Sequence, residues 1–111
     1  MGKRESLELL PGTLDLLILK ALARCKMHGY GIAQMLKTTS EDVLDIGESS
    51  LYPALQRLLL NGWVTAEWGA SENNRRARYY TLTRAGRKQL AAERVDFERM
   101  VAAIQRVLQT T

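Results

Sequence analysis

Cysteine and histidine each occur once in this 111-residue chain, as Cys25 and His28. A Cys/His zinc cluster is therefore out of reach. Cys25 also has no partner for an intramolecular disulfide, which fits a reducing compartment. Placed at the end of an apolar helix, it reads as a small core or boundary residue rather than a reactive thiol. Apolar runs stay short of the roughly 20 residues needed to cross a bilayer. The segment Met1–Ser6 leads into a short apolar patch, without a signal-peptide core or a small-residue cleavage site. The expectation is a cytoplasmic protein with no membrane partner. There is no nucleophile–base–orienter set and no glycine-rich phosphate loop ahead of a helix, so an enzyme is the weakest reading. No cofactor and no metal are expected. Repeats and low-complexity segments are missing as well.

What is present is ordinary globular material: 46% hydrophobic and 25% charged residues, enough for one domain with a modest core. The net charge of +4 is mild, but its placement is informative. Between Arg57 and Lys88 the chain carries seven basic residues against Glu67 and Glu72. A local basic field of this kind attracts polyanions, with a solvated charged face as the competing reading.

Periodicity divides the chain into seven elements. A first helix is expected from about Thr13 to Arg24, after the Pro11-Gly12 break and with Thr13 as N-cap. Leu14, Leu17, Ile18, Ala21 and Leu22 form its apolar stripe, and Leu16 and Leu19 widen it enough to suggest an intermolecular contact. Lys26–Gly29 reads as a turn into a second helix, Gly29 to Thr38, with Ile32, Met35 and Leu36 inward. Asp42–Ile46 alternates weakly and predicts a short strand paired with a later hairpin. A third helix follows from about Ser50 to Asn61, capped by Ser49 or Ser50, with Pro53 in its first turn and Gly62 as its C′ residue. Leu51, Leu55, Leu58 and Leu59 mark its core face. Trp63–Trp68 and Ala77–Leu82 alternate as half-buried strands around a polar loop, Gly69–Arg76. Thr83 is the natural cap of a last helix reaching nearly to the C-terminus. The fold class is mainly α with a small β-hairpin (α+β): a winged helix-turn-helix over residues 10–83, and a C-terminal dimerisation helix over 84–111, in one compact unit.

A hydrogen-bonding helix followed by a basic hairpin suits double-stranded DNA. In a helix-turn-helix the second helix of the pair enters the major groove, led by its N-terminal residues. Ser49, Ser50 and Tyr52 suit phosphate oxygens or base edges, Pro53 shares their face, and Gln56 has the geometry for adenine. Arg57 suits guanine or the backbone. Tyr30 reads mainly as half-buried packing, with a phosphate bond from its hydroxyl as the alternative. On the hairpin, Arg75, Arg76 and Arg78 surround a tip loosened by Gly69, Asn73 and Asn74, and suit phosphates or the minor groove. Tyr79 and Tyr80 alternate in facing, one into the core. Asp42, Asp45 and Glu48 flank the third helix's start and offset its dipole. The rival class is a dimeric winged-helix protein-interaction module without specific DNA binding, which has no need of three wing arginines.

The last helix carries Leu90, Phe97, Val101, Ile104 and Leu108 at near-heptad spacing, with Met100 and Val107 widening the seam. A terminal helix this apolar needs a partner, and a two-fold dimer would present two recognition helices to a palindromic site.

The motifs His28-Gly29-Tyr30, Ser50-Leu51-Tyr52-Pro53-Ala54-Leu55 with Arg57-Leu58, Gly62-Trp63-Val64, and Arg78-Tyr79-Tyr80-Thr81-Leu82-Thr83 with Gly86 resemble the PadR family of bacterial transcriptional regulators. The likeness runs from about Leu10 to the C-terminus, and the single short terminal helix is similar to the smaller of the family's two subgroups. It implies a homodimeric winged helix-turn-helix repressor on a palindromic operator, with dimer contacts through the terminal helix aided by the first, where Leu14 and Leu17 lie. It also implies that some members take up phenolic or other planar hydrophobic effectors between the subunits. Phe97 and Met100 are candidates for lining such a space, though core packing is their stronger reading. One departure concerns Leu59 and Leu60, where the family often carries acidic residues. The solvent side of the recognition helix is thus expected to be covered by a neighbour or a packed wing.

Overall fold

The computed structural model describes residues 9 and 12–111, so Leu10 and the expected break at Pro11 lie outside the described residues. The elements run α1 (Thr13–Leu22), β1 (Met27–His28), α2 (Gly29–Thr39), α3 (Glu48–Leu60), β2 (Val64–Ala70), β3 (Arg76–Leu82) and α4 (Arg84–Leu108). The three strands form one antiparallel sheet in the order β1-β3-β2. Ile18, Leu19 and Ala21 of α1, Ile32 of α2, Leu51, Ala54, Leu55 and Leu58 of α3, and Val64, Tyr80 and Leu82 of the sheet close a single core. This is the expected α+β winged-helix architecture, and no helix among the described residues is long and apolar enough to cross a membrane.

Several local expectations are corrected. Thr13 is the first helical residue rather than the cap; Gly12, at φ 85°, holds the N-cap position without a side-chain bond. The short strand is Met27–His28, ahead of α2, and Asp42–Ile46 is irregular. The cause lies at the end of α2, where the Glu41 N–H donates to the Thr38 carbonyl and the Asp42 N–H to Lys37 at 2.9 Å. That paired closure puts Glu41 and Asp42 both at positive φ, 55° and 69°. Two left-handed residues turn the chain where an extended strand would have to start. Cys25, expected in the core or at its boundary, is exposed in the turn after α1.

The third helix also starts earlier than its sequence suggests. Gly47 caps it without a side-chain bond, so neither Ser49 nor Ser50 is a cap, and Pro53 falls inside the helix rather than in its first turn. The missing proline N–H therefore removes the intrahelical donor of the Ser49 carbonyl. The C-terminus behaves as expected. Gly62, at φ 73°, follows the Asn61 cap, and the Gly62 and Trp63 amides donate to the Leu59 and Leu58 carbonyls, both at 3.0 Å.

Thr83 joins the hairpin to α4. Its Oγ1 accepts from the Gly86 N–H at 2.9 Å and donates to the Gly62 carbonyl at 2.7 Å, while its own N–H reaches the Trp63 carbonyl at 3.0 Å. Gly86 is buried against that same Trp63 carbonyl and the Leu82 side chain. α4 then runs for 25 residues, about 37 Å at 1.5 Å each, and is not short. Its first turns pack on the core through Leu90, but Val95, Phe97, Met100, Ile104, Val107 and Leu108 are exposed. The radius of gyration is 15.6 Å, where a compact chain of this length would measure about 13 Å. The excess reflects a helix that leaves its own domain.

In an ordinary helix interior, Gly→Ala gains up to about 1 kcal/mol. At Gly86 the added Cβ would run into the Trp63 carbonyl oxygen and sit 2.7 Å from Leu82. Gly86→Ala is expected to lower stability by roughly 1–3 kcal/mol through overpacking, read as a shift of the urea midpoint.

Candidate nucleic-acid interface

The side chains of β3 alternate across the sheet, so Tyr80, Arg78 and Arg76 share one face. Tyr80 is 4% exposed and anchors that face in the core, and burial pushes its phenol above the ordinary range, partly offset by the nearby Arg78 charge. Moving outward along the strand, the same face carries Arg78 and then Arg76 beyond the edge of the core. Trp68 of β2 stands opposite Arg78, and Ala66 and Ala70 stand opposite Tyr80 and Arg76. Beyond them the chain turns through Ser71–Arg75. The Asn74 amide donates to the Ser71 carbonyl at 2.9 Å, and the Ser71 amide to the Arg75 carbonyl at 2.7 Å, with Asn74 at φ 59°. The tip is thus a defined three-residue turn ending on a left-handed asparagine.

This wing overhangs the starts of α2 and α3 and leaves a cleft of about 540 Å³. Its walls include His28, Gly29 and Tyr30 from the β1–α2 junction, Tyr52 from α3, and Trp68, Arg75, Arg76 and Arg78 from the wing. His28 serves α2 directly, since its Nδ1 accepts from the Gly31 N–H at 3.0 Å. Gly29 permits the approach of Tyr52: a Cβ there would lie 2.9 Å from the tyrosine oxygen. On the reverse face of the sheet, Tyr79 packs beside His28 and its hydroxyl donates to the Ala70 carbonyl at 2.8 Å.

The outer surface of α3 is separate from this cleft. Ser49, Pro53, Gln56 and Leu60 follow one another at helical spacing, and all are exposed, as is Ser50. Leu60 is 79% exposed, so neither the wing nor any other described residue covers it, whereas Leu59 packs on the core. Glu48 occupies the first turn of α3 and offsets its positive end, and Asp45 lies 3.9 Å from Lys37.

The model of the PadR-like transcriptional regulator family matches residues 18–92. The chain belongs to that family. A transcriptional regulator from Clostridium thermocellum is 28% identical, with 86% of this chain and 92% of that one covered at a TM-score of 0.78. A PadR family transcriptional regulator from Eggerthella lenta is 26% identical, with 90% and 85% covered at 0.77. An uncharacterized protein of Lysinibacillus sphaericus is 27% identical over 84 residues, 76% of this chain and 77% of that protein. This PadR-like chain is accordingly a DNA-binding transcriptional regulator and not an enzyme.

The residues expected at the interface separate into groups. Tyr30, Tyr52, Arg75, Arg76 and Arg78 come together around the cleft, and Tyr30, expected as half-buried packing, is instead 70% exposed. Ser49, Ser50, Pro53 and Gln56 lie exposed on α3. Arg57 does not join either group. Its Nη2 and Nε donate to the Asp15 carboxylate at 2.7 and 3.3 Å, tying α3 to α1, and this bond holds the guanidinium above its ordinary pKa against a smaller desolvation effect. This pairing competes with the role expected for it at guanine or phosphate. Trp68 is the residue that sequence reading passed over. Its alternation reads as a strand residue, and its position opposite Arg78 follows only from the hairpin register.

The Asp15–Arg57 pair joins a 17%-exposed carboxylate side chain to a 54%-exposed guanidinium side chain, so its contribution is bounded by that of surface pairs, up to about 1 kcal/mol. Arg57→Ala is expected to lower the melting temperature modestly. The salt dependence of DNA binding should match that of the unaltered protein; a shallower salt slope would restore Arg57 to the interface.

Proposed function

We propose that this chain is a homodimeric repressor reading a palindromic operator, with α3 in the major groove and the wing on the adjacent backbone or minor groove. The observation that carries the reading is the contrast among arginines. Among the described residues, Arg75, Arg76 and Arg78 have no carboxylate within 4 Å, whereas Arg57 is paired. Three unpaired cations on one hairpin, beside an exposed helix surface, match a polyanion that presents both phosphates and base edges.

The roles divide by chemistry. Gln56, Ser49 and Ser50 supply uncommitted amide and hydroxyl groups. Tyr52 packs along Gly29, and with Tyr30 it lines the cleft, where both hydroxyls suit phosphate oxygens. The wing arginines supply charge.

Dimerisation is supported by the exposed α4 residues. Phe97, Met100, Ile104, Val107 and Leu108 form an apolar seam with no partner among the described residues, and half-buried Val101 continues it. Leu14, Leu17 and Leu90 already pack against their own core, so they flank that seam rather than form its centre. A second copy with the same seam satisfies a two-fold contact.

Binding of a random-sequence duplex across a salt series tests the DNA interface. Affinity should fall steeply with salt, and lack of binding at low salt would overturn the reading. Gln56→Ala should reduce the preference for a selected operator over random DNA by about 1–3 kcal/mol, and Arg76→Ala should weaken both alike. Sedimentation should give twice the 12.5 kDa chain mass for the unaltered protein and the single-chain mass for Ile104→Glu. A monomer without substitution would remove the two-fold reading.

A further inference from the structure

We infer that Trp68 is the positioning residue of the wing, its indole holding the Arg76 guanidinium in the cleft where a DNA strand passes between the major-groove helix and the wing. The inference rests on the DNA-binding reading above and assigns within it a residue that makes the basic wing selective in geometry. Arg76 lies over the Trp68 ring at 4.5 Å from its centroid. Arg78 is farther from its aromatic neighbour, 6.0 Å from the Tyr80 centroid, and Arg75 has no such partner among the described residues. Of the three wing cations, Arg76 therefore has the closest aromatic partner.

Trp68 has no other evident packing role. It is 59% exposed and does not belong to the hydrophobic core. On its own strand its same-face neighbours are Ala66 and Ala70, too small to cover an indole. A large aromatic left on an exposed hairpin, flanked by small residues and covered by a guanidinium, is a platform for that guanidinium. Stacking removes rotamer freedom from Arg76 before binding, so less is lost when it meets the phosphate backbone. The indole also lines the same cleft as Tyr30 and Tyr52, opposite the start of α2. A strand lying there would meet Tyr30 and Tyr52 on one side and the stacked arginine on the other.

The role differs measurably from that of a direct charge. Binding of a labelled random-sequence duplex would be followed across a salt series for the unaltered protein, Trp68→Ala, Trp68→Leu, Trp68→Tyr, Arg76→Ala and the Trp68→Ala/Arg76→Ala double variant. Arg76→Ala should lower the slope of log K against log salt by about 0.9, the loss of one phosphate contact. Trp68→Ala and Trp68→Leu should weaken binding by roughly three- to tenfold with that slope kept, because the charge remains but is no longer held. Trp68→Tyr should recover most of the affinity, since it restores an aromatic face. The double variant should bind about as well as Arg76→Ala alone. Unchanged affinity in Trp68→Ala, additive losses in the double variant, or equal losses in Trp68→Tyr and Trp68→Leu would each overturn the inference while leaving the DNA reading intact. Absence of binding by the unaltered protein at low salt would remove both.

Discussion

The wing depends on the burial of one tyrosine. Tyr80 and Leu82 fix the inner end of β3 in the core, and a strand has a side-chain period of two. That constraint sets the direction of Arg78 and of Arg76, the latter four residues away and roughly 13 Å along the strand. A register slip by one residue would turn Tyr79 and Ala77 toward α2 and α3 and carry both arginines to the other face. The electrostatics of the cleft thus follow from an apolar contact at its base. The same base anchors α4, because Thr83 bonds both Gly62 and Gly86 where the hairpin leaves the core.

Placement, rather than residue type, separates the arginines. Arg57 and Arg76 are both on exposed surfaces following apolar elements, and both are plausible DNA contacts by sequence. Arg57 sits on the shoulder of α3 that meets α1, where Asp15 neutralises it. Arg76 sits on an aromatic ring, which holds a cation without neutralising it. A stacked arginine keeps its full charge for a phosphate, and a salt-bridged one does not. Glu48 follows the same logic at the start of α3. It offsets the helix end locally, so the field that attracts DNA arises mainly from the wing.

The long periodic elements were legible in the sequence, as was the family. Four helices and the hairpin follow from apolar spacing, and the Gly62 and Thr83 caps from residue type. The failures share a physical cause: each was settled by tertiary contact or by backbone turns that side-chain pattern does not encode. Asp42–Ile46 alternates like a strand, but the closure of α2 sends Glu41 and Asp42 into the left-handed region first. Met27–His28 is too short to show periodicity, and it is a strand because β3 lies beside it. Arg57 pairs with Asp15, 42 positions away, a contact that no local pattern encodes. Trp68 reads as an ordinary strand aromatic because its cross-strand neighbours follow only from the register. Pro53 was expected where its missing N–H has no consequence, but Gly47 starts the helix early enough to place it inside.

The sparse chemistry of α3 also bears on the proposed pairing of two copies. Its exposed surface offers one side chain suited to bidentate base readout, Gln56, together with two serine hydroxyls. A good bidentate pair discriminates by about 1–3 kcal/mol. Specific regulators exceed their own non-specific binding by roughly 4–10 kcal/mol. The wing cannot supply that difference, because phosphate contacts strengthen correct and incorrect sites alike. A single α3 therefore falls short, whereas two copies related by a two-fold axis double the base contacts on a palindrome. The α4 seam, without a partner among the described residues, is the feature that would join them in the proposed dimer, and the apolar helix would then bear on the specificity of the cleft.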